Sequence, residues 1–178
     1  MVLFLEGTDY VFFPVGITFA YVSDRYHCRG AISVTCAILC IIGFSLFLAS
    51  GKHHVQYASL FFSISGAYNG APVVFTWIAN NTAPHTRRAT AIAIIIITGN
   101  IGGILSTWLL GVLSPGPRYF LATKVLLSLS VLMLVFFVLN IIFLWDQNRK
   151  KAKVRSTSSP SDEKPGLGDK SAWFIYHL

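Results

Sequence analysis

The sequence predicts an all-α, polytopic membrane protein: a partial bundle of about five transmembrane helices followed by a polar tail. Three observations carry this expectation. Apolar residues gather into runs of about 20, which make helices of about 30 Å, the thickness of a bilayer's hydrocarbon core. The chain is 54% hydrophobic and only 12% charged, whereas a soluble domain is about a quarter charged. The connections between runs alternate between strongly and weakly basic, as loops do when sorted to two sides of a membrane. A soluble core explains one such run, but four or five in succession leave too little polar surface to cover them.

The runs are 2–22, 31–50, 57–79, 89–113 and 119–145, which together make a transmembrane domain over 1–145. The first contains Glu6 and Asp9, acids that cost about 2.5–3.5 kcal/mol each at a bilayer centre. Either they form a proton relay, or residues 1–9 lie at or beyond the outer interface or are not the natural continuation of this helix, and the span begins near Tyr10. The second carries Cys36 and Cys40, which share a helix face; with Cys28 they lack metal-type spacing and read as small reduced hydrophobes. The third holds Tyr68 and Asn69 between Gly66 and Gly70, and the fourth holds Asn100 between Gly99 and Gly102-Gly103. The fifth contains Asn140, read as packing or lipid-facing, and ends at Trp145, which like Trp77 suits an interface. No cleavable signal is expected, since Met1 leads directly into Val2–Leu5 without a basic n-region. Residues 146–178 read as a largely disordered tail. Its closing Trp173-Phe174-Ile175-Tyr176 is too short to span and is a candidate for touching the membrane surface.

Charge sets the orientation. Arg25 and Arg29 lie between the first two runs, Arg87 and Arg88 between the third and fourth. Arg149, Lys150, Lys151, Lys153 and Arg155 follow the fifth. Only Lys52, Arg118 and Lys124 lie on the alternate side. The positive-inside rule then makes the C-terminus cytoplasmic. The Asn80-Asn81-Thr82 sequon falls on the cytoplasmic side and is expected to stay unmodified. The net charge of +7 is therefore a record of topology, and no nucleic-acid partner is expected.

No catalytic constellation is legible: there is no Gly-x-Ser-x-Gly, no phosphate-cradling glycine loop and no His-x-x-x-His pair. All five histidines lie in loops or the tail. His53-His54 is a formal metal pair, but adjacent loop histidines usually bind nothing. Neither an enzyme, a metal nor a cofactor is expected.

Two loops are richer. One packs Asp24, Arg25 and Arg29 into a tight turn; the other, 80–88, ends one helix with polar caps and opens the next with Arg87 and Arg88. A carboxylate such as Asp24 near that exposed helix N-terminus gains roughly 0.3–1 kcal/mol from its free N–H groups and dipole. Such a contact would hold two helices in one conformation and release them in another, making these five residues candidates for conformational gating. The alternative is that they are positive-inside anchors only.

These residues resemble a known family. Asp24-Arg25 with Arg29-Gly30 looks like the Asp-Arg…Arg-Gly signature of the major facilitator superfamily between its eighth and ninth helices, with Ala20 replacing the usual leading glycine. More specific is an ordered set. It comprises Thr76-Trp77-Ile78-Ala79-Asn80-Asn81, His85-Thr86-Arg87-Arg88-Ala89, Gly99-Asn100-Ile101-Gly102-Gly103-Ile104 and Pro117-Arg118-Tyr119. It resembles the allantoate permease-like anion:cation symporters of fungi. The resemblance runs from about Val11 to Trp145, with a weaker echo in Leu167-Gly168-Asp169-Lys170 and the terminal aromatics. It implies that the five runs are the eighth to twelfth helices of a twelve-helix transporter, and that this chain is a C-terminal fragment lacking the N-terminal half. The charge-derived orientation agrees.

The resemblance further implies that the eighth, tenth and eleventh helices face a central cavity. Asn100, Tyr68 and Asn69 are the candidate substrate-binding residues, because neutral amides in hydrocarbon need partners and a carboxylate accepts their N–H bonds. Helix packing is the competing role, since Gly99 and Gly103 form a small-xxx-small pattern. The expected function is secondary transport of a small organic anion (carboxylate, vitamin or ureide) coupled to protons or other cations, by alternating access at the plasma membrane. The fragment alone is expected not to transport. The alternative is a non-transporting membrane interaction protein or degenerate paralogue.

Overall fold

Some helices in this chain outrun the apolar runs that they contain. The computed structural model describes residues 14, 16–23, 25, 28–114, 119–157, 163 and 167–178. Among these there is helix and no strand: α1 (16–23), α2 (Arg29–Ala49), α3 (His53–Asn81), α4 (His85–Trp108) and α5 (Phe120–Arg155). A π-turn, Leu109–Leu113, continues α4, and a 3-10 turn occupies Gly168–Lys170. Glu6, Asp9 and Asp24 lie outside the described residues.

Relative to the apolar runs, α3 begins earlier, at His53, and α5 continues beyond Trp145 to Arg155. Backbone hydrogen bonding does not stop where apolarity stops. Gln147, Lys150, Lys151 and Ala152 are good helix formers, and Lys153 and Arg155 in the last turn oppose its negative dipole end.

The interior mixes small polar residues with apolar ones such as Ile32, Val73 and Trp77, while the outside is strongly apolar. Buried positions include Ser33, Ser59, Ser63, Asn69 and Ser130, while Ile97, Ile101, Ile104, Phe136, Leu139 and Ile142 are exposed. In water so large an apolar surface would aggregate; in lipid it costs nothing. The buried hydroxyls are satisfied within their own helices: Ser33 donates to the Arg29 carbonyl, Ser63 to Ser59 and Ser130 to Leu126. Three helical stretches, Arg29–Ala49, His85–Val112 and Phe120–Arg155, are long and apolar enough to cross a membrane. The 29-residue α3 is also long enough, but more polar because the face it buries carries Ser59, Ser63 and Asn69.

Close backbone approach locks α2 to α3. A Cβ on Gly66 would lie 2.6 Å from the Cys36 carbonyl oxygen and 2.7 Å from Cys40 Sγ. A Cβ on Gly43 would lie 2.6 Å from the Ser63 amide nitrogen. Each helix thus presents a glycine to the small residues of the other, the close-packing device of lipid-embedded helices. α5 closes the other side: Trp77 meets Phe137 edge-on at 6.2 Å, and Gly30 faces Ile141. α1 lays Phe19 and Val22 on Ile32, Cys36 and Val73. In contrast, no residue of α4 is buried.

Candidate functional site

The mid-helix polar residues separate by environment. Asn69 is buried, and its amide N–H donates to the Ser65 carbonyl at 2.8 Å. Its Oδ1 lies where a Cβ on Gly16 would be only 2.6 Å away, so Asn69 packs against α1. Tyr68, one residue earlier and therefore turned by about 100°, is 74% exposed. Pro72 has no N–H to offer the Tyr68 carbonyl, while Thr76 Oγ1 donates to the Pro72 carbonyl at 2.6 Å. Asn100 lies on the exposed α4, donating to its own Ile96 carbonyl at 2.9 Å. Among the described residues it makes no hydrogen bond to another helix. Nothing lies within 4 Å of a Cβ built on Gly99, Gly102 or Gly103, so the glycine stripe here packs on no neighbour. The structure does not gather Tyr68, Asn69 and Asn100 into one pocket: Asn69 turns inward while the other two remain on open faces.

The basic residues meet at one end of the bundle. Arg29 Nη1 donates across to the Thr76 carbonyl at 3.0 Å, tying the start of α2 to α3. Arg25 is exposed. Arg88 Nε donates back to the Thr82 carbonyl at 3.3 Å, bracing the start of α4. Arg87 forms an ion pair of 2.7 Å, and its partner is Asp169. The acid that neutralises the α4 start thus comes from the far end of the chain.

Here the structure departs from the expected disordered tail. Beyond the continuing α5 helix, residues 167–178 form a strap across the basic end: the 3-10 turn and a following turn through 173, then a segment without helix or turn over 174–178. Asn81 clamps one backbone unit of the strap: its Nδ2 donates to the His177 carbonyl at 2.9 Å, and its Oδ1 accepts the His177 N–H at 2.8 Å. Asn148 clamps the unit before it, donating to the Tyr176 carbonyl at 2.8 Å and accepting the Tyr176 N–H at 2.9 Å. Trp77 Nε1 adds a bond of 2.8 Å to the His177 carbonyl. An extended segment leaves its backbone groups unpaired, and these helix-borne amides satisfy them.

Lys151 anchors the strap's other half. Its Nζ donates to the carbonyls of Asp169 at 2.5 Å and Phe174 at 3.2 Å, and lies 4.0 Å from the Tyr176 ring centroid. Tyr176 OH donates to the Asp169 carbonyl at 2.9 Å, and burial raises the pKa of that phenol. At the strap's head, the Ser171 hydroxyl and the Ala172 amide hydrogen-bond the Glu163 carboxylate and hold it below the usual glutamate range. Trp173 and Ile175 are exposed, 44% and 57%, so their side chains face away from the helices. Asn81 and Asn148 were not among the sequence candidates. Their partners lie 96 and 28 residues away, and no local spacing signals such a contact.

Comparison with known proteins sets this arrangement in context. A family model described as the Major Facilitator Superfamily matches residues 10–176. An uncharacterized transporter of Schizosaccharomyces pombe is 36% identical over 91% of this chain and 32% of its own length. The high-affinity nicotinic acid transporter of Saccharomyces cerevisiae is 27% identical over 93% of this chain and 32% of its own. A second uncharacterized transporter of Schizosaccharomyces pombe is 27% identical over 96% and 35% respectively. The chain therefore spans about a third of the length of these relatives. No solved structure matches the chain.

Proposed function

Because the chain belongs to the Major Facilitator Superfamily, we propose that it supplies the eighth to twelfth helices of a secondary transporter for a small organic anion. It is an integral, multi-pass membrane protein of a transporter family, not an enzyme. The subfamily we assign is the allantoate permease-like anion:cation symporters, with a cytoplasmic basic end, cotransport of protons or other cations, and residence in the plasma membrane. One relative carries nicotinic acid, a small carboxylate of the class proposed.

The observation that carries this reading is α4, a helix with no buried residue whose open surface bears Asn100 amid glycines and isoleucines. An amide exposed among isoleucines is costly in lipid and useful beside a water-filled cavity, where its N–H groups can meet a carboxylate. Tyr68 on α3 would line the same cavity; Asn69 would support it by fixing α1. Five helices form about half of such a cavity. The other half of the transporter fold is the partner this function requires, and the chain alone is expected to give no uptake in liposomes.

The test is a chimera in which residues 10–176 replace the matching third of the Saccharomyces cerevisiae nicotinic acid transporter, expressed in cells lacking their own carrier. We expect uptake of at least one labelled carboxylate, vitamin or ureide. Asn100→Ala should then cut uptake about 10-fold or more, as loss of a hydrogen bond to a charged group worth about 1.5–3 kcal/mol implies. A chimera that reaches the membrane and moves no anion contradicts the transport reading. Uptake unchanged by Asn100→Ala contradicts the assigned site.

A further inference from the structure

We infer that residues 167–178 act as a built-in peptide ligand, seated in a cleft formed by Trp77, Asn81, Asn148 and Lys151, and that this strap fixes the basic end of α4 to α5. The inference does not depend on what is transported.

The first support is the construction of the cleft. Asn81 and Asn148 stand on different helices, and each grips both the N–H and the C=O of a single residue. The gripped residues, His177 and Tyr176, are consecutive, so the two clamps set the strap's register. This is the hydrogen-bonding scheme by which an extended peptide is read through its backbone. Side-chain selectivity comes from Lys151, whose Nζ lies 5.2 Å from the Phe174 ring centroid and 4.0 Å from that of Tyr176.

The second support is the dependence of α4 on the strap. With no residue of α4 buried, side-chain packing does little to fix its orientation. Besides the short link from α3 and the Arg88 bond to the Thr82 carbonyl, its basic end reaches the bundle through Asp169, which binds Arg87 through its carboxylate and the Ala83 carbonyl through its N–H at 3.3 Å. The Asp169 carbonyl in turn accepts from Lys151 of α5. At this basic end the link from α4 to α5 runs through the strap, with Asp169 bridging Arg87 and Lys151 and Gly168 lying against Pro84; the opposite end is tied separately, where the Ala122 amide donates to Ser114 Oγ after the π-turn. Release of the strap breaks the basic-end link and leaves the glycine lock between α2 and α3 untouched, so that end of α4 swings while the α2–α3 pair stays intact.

The measurement is the distance between spin labels on α4 and α5 (Thr90→Cys with Val154→Cys) in the full chain in nanodiscs, with Cys28 replaced by serine. A control pair, Ile38→Cys with Leu60→Cys, reports α2 and α3. With the strap seated, both pairs give a narrow distribution. In the double variant Asn81→Ala/Asn148→Ala we expect longer α4–α5 distances in at least half of the molecules and an unchanged α2–α3 distribution. Arg87→Gln alone should broaden the α4–α5 distances while the strap stays bound. An α4–α5 distribution unmoved by the double variant overturns the inference. So does equal broadening of both pairs, because the strap would then be a general part of the fold and not the tie for α4.

Discussion

Gly66→Leu is expected to destabilise the bundle by at least about 3 kcal/mol, the upper end of the range for overpacking. At this position a single methyl already meets the Cys36 carbonyl at 2.6 Å and Cys40 Sγ at 2.7 Å. The obstructing oxygen belongs to backbone and cannot rotate away, so α2 and α3 must separate. Separation also loosens the reciprocal contact at Gly43, where Ser63 approaches as closely. Packing, not expulsion of water, holds lipid-embedded helices together, so increased spacing removes the main attraction outright. Gly103→Leu is the control. Nothing lies within 4 Å of its built Cβ, and its cost should stay within about 0.5 kcal/mol. Folded fraction against detergent in mixed micelles reports both; equal stability of the two variants contradicts the glycine lock.

Trp77→Ala is expected to cost about 3 kcal/mol. Core Trp→Ala changes in water-soluble proteins cost about 3–5 kcal/mol, part of it the transfer of the ring from water. In a membrane-embedded chain that part shrinks while the cavity remains, which puts the expectation at the low end. Trp77 is 2% exposed, meets Phe137 edge-on and donates its indole N–H to the His177 carbonyl. It therefore joins α3, α5 and the strap. Trp77→Phe keeps the ring contact and loses the N–H, and should cost only about 0.5–1.5 kcal/mol. The same micelle titration distinguishes these outcomes. A loss below about 1 kcal/mol for alanine would contradict a packing role.

The helices were legible because hydrocarbon imposes a length on apolar runs. The run 31–50 became Arg29–Ala49, and 89–113 became α4 with its π-turn. Boundaries drifted wherever polar residues extend a helix, as at His53-His54 and after Trp145. The inward face of α3 was harder to read, since Tyr68 and Asn69 are adjacent in sequence yet face opposite environments. The role of Asp169 was not legible at all. Local composition marks its surroundings as polar tail, and only chain closure over 82 residues brings it to Arg87. The expected acid, Asp24, falls outside the described residues, while the same chemistry at the α4 start is met from the strap.

The most direct measurement is sidedness. In sealed membrane vesicles with the cytosolic face outward and Cys28 replaced by serine, Thr86→Cys, Thr157→Cys and Lys52→Cys are offered an impermeant maleimide. Helices that cross lipid with their cationic ends on one face predict labelling at 86 and 157 in sealed vesicles, and at 52 only after detergent. Labelling of 52 and 86 together in sealed vesicles, or recovery of the chain in the aqueous fraction without detergent, would contradict the account.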